Sequence, residues 1–278
     1  MKLTVHCVVK NEEKWVWFAI NSILSLADKI LIYDTGSADK TVPIIKSIRS
    51  KKIVFEERGA VNAAGLTSLR QEQLNKTKSD WFMILDGDEI WPQQTLSELE
   101  KCLQQVTKNK LGVVVRAWNF AGDLYHIHPE SFKYQWPYAP KTWNGWANLR
   151  VIRKTPGMKV AGDYPLEAYV DNRGVPVQNH GPQKLIFLEN RYLHTTYLIR
   201  SDTRQRDKSV LNRLKKDKHE IGIKVVPDFK YPKVLYNKRP SLVADPFYKR
   251  GALESLVSIG QSPIKEARRR LLGKYNPK

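Results

Sequence analysis

Two periods alternate along the first 115 residues. Short apolar runs at Leu3 to Val9, Lys29 to Tyr33, Ile53 to Phe55 and Trp81 to Leu85 have the length and composition of buried strands. Between them apolar positions recur at helical spacing. Asn11, followed by Glu12 and Glu13, stands where an N-cap would open a helix carrying Trp15, Phe18, Ala19, Ile23 and Leu26. Thr41 to Ile48 predicts a second helix with Pro43 in its first turn, Leu66 to Asn75 a third, and Thr95 to Val106 a fourth after Pro92. Strands and helices alternating in this way predict an α/β fold whose parallel sheet is covered on both faces.

After Gly112 to Arg116 the pattern changes, and no strong helical period returns until about residue 200. Residues 117 to 150 hold Trp118, Tyr125, Trp136, Tyr138, Trp143 and Trp146 among His126 and His128. Aromatics interleaved with polar groups suit a surface that recognises a sugar or another ring, and they equally suit a core under long loops. Asn148 to Arg153 and Val175 to Val177 read as strands. Ser201 to Ile221 reads as a polar, basic helix and Ser262 to Leu272 as another, ending at Gly273.

Length and composition narrow the classes. The 278 residues, 41% hydrophobic and 10% aromatic, can bury a sizeable core and exclude global disorder. No apolar stretch approaches the roughly 18 to 20 residues that span a bilayer, and the amino terminus enters a strand; a cytoplasmic protein is expected. Cys7 and Cys102 lack metal-ligand spacing and read as core thiols. The net charge of +19 is concentrated late: from Arg200 to Lys278, 21 Lys or Arg face 8 Asp or Glu. That basic stretch suits nucleic acid, an anionic polymer or an anionic membrane surface.

The chemistry begins at the end of the fourth strand. In Trp81-Phe-Met-Ile-Leu-Asp-Gly-Asp-Glu89, Asp86 and Asp88 emerge together where an open α/β sheet binds its ligands. Two carboxylates there can hold an oxygen-loving cation that bridges a diphosphate, and the same residues can also serve a turn and a helix cap.

Three blocks in order settle how these residues are read: Val8-Val-Lys-Asn-Glu-Glu13, Tyr33-Asp-Thr-Gly-Ser-Ala-Asp-Lys-Thr41 and Leu85-Asp-Gly-Asp-Glu89. Together they resemble the family 2 glycosyltransferases, which bind nucleotide-diphospho-sugars on a GT-A fold. The likeness extends more weakly through Arg153, Pro165-Leu-Glu167 and Tyr192-Leu-His194. It implies a Rossmann-like, mostly parallel central sheet flanked by helices, followed here by a basic, helical C-terminal extension.

The resemblance also implies roles. Asp34 matches the residue that accepts from the nucleotide base, with uracil favoured. Val8 and Val9 lie near that base and Glu12 beside the ribose, while Asn11, Ser37, Asp39 and Gly87 complete the donor-nucleotide surface. Arg70 would offset diphosphate charge, although Gln71 stands where the family usually has Asn. Asp86 faces ribose or metal-bound water, Asp88 ligates Mn2+ or Mg2+ directly, and His194 adds a late metal ligand, with His180 as the other candidate. Glu167 is the general base of an inverting transfer, with Asp163 as the other candidate; Leu166 replaces the His that usually precedes it. Trp118, Trp143, Trp146 and Arg150 are expected at the acceptor site, and His126 and His128 near it.

The expected organisation is therefore a nucleotide-sugar and metal-binding half over residues 1–115, an acceptor and catalytic half over 116–200, and the basic extension over 201–278. The expected activity is transfer of a sugar from a nucleotide diphosphate to a hydroxyl of a glycan or lipid-linked acceptor, with possible peripheral contact between the extension and an anionic membrane. A metal-dependent nucleotidyltransferase would need a glycine-rich loop after the first strand, and Val8 to Glu12 has no glycine. A nucleic-acid or anionic-polymer binding protein on a degenerate fold would use Tyr231, Tyr236, Phe247 and Tyr248 as stacking platforms in the basic tail, which carries no nucleic-acid signature.

Overall fold

The computed structural model describes residues 2–129, 143, 145–202, 210–211 and 220–272. Four strands, β1 (Leu3–Val9), β2 (Lys29–Asp34), β3 (Ile53–Glu57) and β4 (Trp81–Leu85), alternate with helices α1 (Val16–Ile23), α2 (Thr41–Ser47) and α3 (Ala63–Lys76). They pair in the order β4-β1-β2-β3, all parallel. The crossovers place every C-terminal strand end, and so Val9, Asp34 and Asp86, along one rim.

Beyond β4 the sheet turns mixed. Strand β5 (Glu89–Ile90) and helix α4 (Gln93–Gln105) precede β6 (Gly112–Ala121), β7 (Asp123–Ile127) and β8 (Ala147–Arg153), and β8 runs antiparallel between β4 and β6. A two-stranded sheet of β9 (Lys159–Ala161) and β10 (Ala168–Val170) follows. The long strand β11 (Leu185–Tyr197) pairs parallel with β6 and antiparallel with β5, and β12 (Ile223–Lys224) pairs with β7 at the far edge. The core lies between the sheet and the helices: Trp15, Phe18 and Ile20 from the α1 side, Leu96, Leu99 and Leu103 from α4, and Val5, Cys7, Met83 and Leu85 from the central strands. Cys7 and Cys102 are free thiols.

Several expectations are corrected. Asn11 does not cap α1, which starts at Val16; it takes φ 52°, its backbone N–H donates to Ser37 Oγ at 2.8 Å, and its Oδ1 accepts from Ala38 N at 2.8 Å. Asn tolerates that left-handed conformation better than most residues, and here it staples the β1 end to the loop after β2. The expected strand at Val175 to Val177 is a bridge at Pro176 followed by a 3-10 turn from Val177 to Asn179. Strand β11 has no clean alternation in sequence, because its register slips between Phe187 and Arg191 and the apolar phase changes within it.

The expected helix over Ser201 to Ile221 lies mostly outside the described residues, as do Trp136 and Tyr138. Residues 220–251 hold no α-helix: Pro227, Pro232, Pro240 and Pro246 interrupt the segment, which makes one 3-10 turn at Lys233–Tyr236 and lies on the β6–β7 edge. There Phe229 packs edge-on to Trp118 and Phe120, Tyr231 to Phe247, and Tyr248 lies against Trp15. Tyr231, Phe247 and Tyr248 are thus internal packing groups, not stacking platforms; Tyr236 is exposed. The last helix, α5 (Ala252–Leu272), starts ten residues before the sequence signal at Ser262-Pro263, because the proline that marks a helix start in sequence here sits inside a helix.

Candidate active site

The carboxylate turn is fixed from both sides. Glu89 N donates to Asp86 O at 3.1 Å, closing the turn, and Asp88 O accepts from Thr195 N at 2.9 Å and from Thr195 Oγ1 at 3.1 Å. The β5–β11 register sets His194 opposite Glu89, one residue from Asp88. As a result Asp86, Asp88 and His194 each offer a ligand atom, all within 4.8 Å of one another, and His194 Nε2 is 3.4 Å from Asp88 Oδ2. Gly87 is required by close approach: a Cβ there would lie 2.9 Å from Glu12 Cγ and 3.0 Å from Val9 Cγ1. Two carboxylate oxygens and one imidazole nitrogen form a donor set that can hold a divalent metal ion.

Two arginines govern the charge here. Arg150 on β8 contacts Glu89, lies 3.0 Å from Asp86 Oδ2, and donates from Nε to Tyr192 Oη at 3.4 Å. It belongs to the carboxylate centre and not to an acceptor surface, since its side chain is almost wholly buried. Burial would raise the Asp86 carboxyl, but the Arg150 and Arg70 guanidiniums overcome it and hold that group below the usual carboxylate range. Glu89 goes the other way: complete burial pushes it up to about 8 against the pull of Arg150, with Asp86 and Asp88 adding like-charge repulsion.

Arg200 had no sequence signal beyond its place six residues after His194. Its backbone is held where α1 begins, by Lys14 N donating to Arg200 O at 3.1 Å and Trp15 Nε1 to Ile199 O at 2.8 Å. Its guanidinium then reaches Glu12 Oε1 and Asp88 Oδ2, both at 2.8 Å.

The other side chains divide by environment. Asp34 Oδ2 accepts from Gly36 N at 3.0 Å and Ser37 N at 2.9 Å, and its Oδ1 accepts from the Ser37 hydroxyl. Asp39 accepts from Thr41 N at 2.9 Å and Glu13 N at 3.3 Å. The turn and cap chemistry left open by the sequence is therefore present at both residues. Val9 O is held by Thr35 N at 2.9 Å, and Val8 stands beside Tyr33 in the parallel ladder.

Glu167 ends the loop from Gly162, whose carbonyl accepts from Thr67 Oγ1 of α3 at 2.8 Å. Arg70 Nε, also on α3, lies 3.1 Å from Glu167 Oε1, while Glu167 Oε2 is buried with no hydrogen-bond partner among the described residues. The structure thus brings Arg70 and Glu167 together.

The expected acceptor aromatics separate. Trp143 is 3% exposed, packed edge-on to Phe187 with the Arg116 guanidinium 4.5 Å over its ring, and so is part of the second core cluster and not a binding surface. Trp118 and Trp146 are partly exposed: Arg191 lies 3.9 Å over the Trp118 ring, and Trp146 meets the His128 ring edge-on. His126 lies 2.7 Å from Asp123 Oδ1 and His128 3.4 Å from Glu220 Oε1, pairs that sit where the C-terminal segment joins the sheet.

A parallel βα half with paired carboxylates at its strand rim is closed by a mixed half, an α/β layout with a candidate metal site at the strand ends. The sequence model for Glycosyl transferase family 2 matches residues 4–160, more than half of the chain, and the chain belongs to that family. It is 32% identical to an uncharacterized glycosyltransferase of Rickettsia bellii, over 36% of this chain and 32% of that protein. It is 29% identical to one of Mycoplasma genitalium, over 38% of each. The chain thus matches about a third of the length of these curated relatives. Among solved structures it resembles S. aureus TarS 1–349 in complex with UDP-GlcNAc at 15% identity, covering 78% of this chain and 70% of that one with a TM-score of 0.48. A second is the glucosyl-3-phosphoglycerate synthase of Mycobacterium tuberculosis in complex with Mn2+ and UDP-glucose, at 20% identity over 42% and 43% with a TM-score of 0.32.

Proposed function

We propose that the protein is a metal-dependent, inverting glycosyltransferase that moves a sugar from a nucleotide diphosphate, UDP favoured, to a hydroxyl of a glycan or lipid-linked acceptor. The observation that carries this reading is the convergence of Asp86, Asp88 and His194 at the C-terminal rim of a family 2 sheet. Those three residues would hold Mn2+ or Mg2+, which when bound would neutralise the charge of the departing diphosphate.

The chain's own groups supply the rest. Arg70 would balance phosphate charge while orienting Glu167 through the 3.1 Å contact to Oε1. Glu167 Oε2, which no described residue hydrogen-bonds, would take the acceptor hydroxyl's proton as the hydroxyl oxygen bonds to the anomeric carbon and the sugar–phosphate bond breaks. Asp34 and the backbone around Val8 and Val9 would meet the base, with Glu12 beside the ribose. Trp118 and Trp146 remain as rings for the acceptor.

The test is turnover of UDP-sugars with Mn2+, followed as UDP release. Glu167→Gln should lower turnover by about 10²-fold or more, the usual worth of a general base, and leave UDP affinity within about threefold. Near-full turnover in that variant would remove Glu167 from the mechanism.

A further inference from the structure

Helix α5 is amphipathic in the wrong sense for a helix that packs on its own protein. A surface helix normally turns its apolar stripe inward. Here the face toward the domain carries serines: Ser258 is 1% exposed, and Ser262 Oγ accepts from Ile221 N at 2.9 Å and donates to Ser258 O at 2.7 Å. The outward face carries the aliphatics. Leu253, Leu256, Val257 and Ile264 fall at i, i+3, i+4 and i+11, one helical stripe, and are 77%, 64%, 39% and 70% exposed, with Ile259 beside them at 53%. A contiguous stripe of this kind on an otherwise well-packed protein marks a surface with a missing partner.

Charge selects the partner. The chain carries +19, and the sequence of α5 ends in Lys265 and Arg268-Arg269-Arg270, with Lys274 and Lys278 beyond it. Pairing two copies would join two chains of +19 each, whereas anionic headgroups complement that charge. The helix does not cross a bilayer: among the described residues no helix is long and apolar enough to do so. Its 21 residues combine one apolar stripe with a polar remainder rich in Ser, Gln, Lys and Arg, the form of a helix lying in the interface plane.

We infer that α5 is a surface-lying membrane helix that docks the protein on an anionic lipid bilayer, with the Leu253–Leu256–Val257–Ile264 stripe in the acyl boundary and the chain's positive charge complementing the headgroups. The inference does not rest on the transferase reading, because UDP binding in solution needs no vesicle.

The test is co-sedimentation of the full chain with phosphatidylglycerol vesicles and with phosphatidylcholine vesicles, across a salt series, alongside sedimentation velocity without lipid. The expected result is binding to phosphatidylglycerol that weakens with salt, little binding to phosphatidylcholine, and a monomer in solution. The double variant Leu256→Glu/Ile264→Glu should bind roughly a hundredfold more weakly, since two large apolar side chains no longer enter the lipid, and Leu256→Ala/Ile264→Ala roughly tenfold more weakly with its helix content intact. Absence of wild-type binding to phosphatidylglycerol would overturn the inference. So would binding indifferent to the substitutions, or a dimer that the double variant dissolves, which would assign the stripe to a second copy of the chain.

Discussion

Arg200 lies 2.8 Å from Asp88 and 2.8 Å from Glu12, so a cation already stands between two buried carboxylates at the centre proposed to bind metal. Breaking a buried pair by removing one partner typically costs about 3–5 kcal/mol, because the remaining charges are left without compensation. Arg200→Gln should therefore melt well below wild type without metal. The same substitution relieves cation–cation repulsion at Asp88, so Mn2+ should stabilise the variant more than it does wild type; at a hundredfold excess over the variant's own dissociation constant the variant should gain about 2.7 kcal/mol in all. Thermal melts of both proteins with and without Mn2+ check this; equal Mn2+ shifts would show that Arg200 does not bear on the site.

The aromatic cluster separates into core and surface by substitution. Trp143→Ala should cost about 3–5 kcal/mol of stability, the usual loss for a large core aromatic, since its ring is sealed between Arg116 and Phe187. Trp146→Ala, at a partly exposed ring, should cost much less stability and lower transfer to acceptor. Denaturant unfolding beside a turnover assay distinguishes them, and an equally destabilised Trp146→Ala would return that ring to the core.

Acid should weaken the fold through His6. It is buried in β1, stacked on Phe82, and its Nε2 lies 2.5 Å from Thr77 Oγ1, whose own hydrogen goes to Gln73 O at 2.8 Å. Burial lowers its pKa to about 3, with the Arg70 and Lys154 charges acting in the same direction. The folded state thus keeps the ring neutral where the unfolded chain, titrating near 6.5, takes up a proton. The stabilisation is present above pH 6.5 and is lost on acidification at about 1.4 kcal/mol per pH unit down towards pH 3. Urea unfolding at pH 7.5, 6 and 5 should show this slope, and His6→Gln should flatten it; an unchanged slope would assign acid sensitivity elsewhere.

The parallel half of the fold was legible because its strands are short, mostly apolar and separated by helix-length segments with start signals. The mixed half was not. Strand β11 changes phase at a bulge, and the proline-rich segment after Glu220 gains its order from Phe120 and Trp118, more than 100 residues earlier. At the site, Asp86 and Asp88 could be read because they follow a strand by one and three residues. The arginines could not: Arg200 meets Glu12 across 188 residues, and Arg150 meets Asp86 across 64. Asn11 misled because its residue type serves equally as a helix cap and in a left-handed turn, and only the neighbouring loop decides between them.

Calorimetric titration with UDP, GDP and CDP, each with and without Mn2+, tests the central claim most directly. The account predicts binding of UDP that requires Mn2+ and is lost in Asp88→Asn. Metal-independent binding, or UDP binding unaffected by Asp88→Asn, would contradict the assignment of Asp86, Asp88 and His194 as the metal and donor centre.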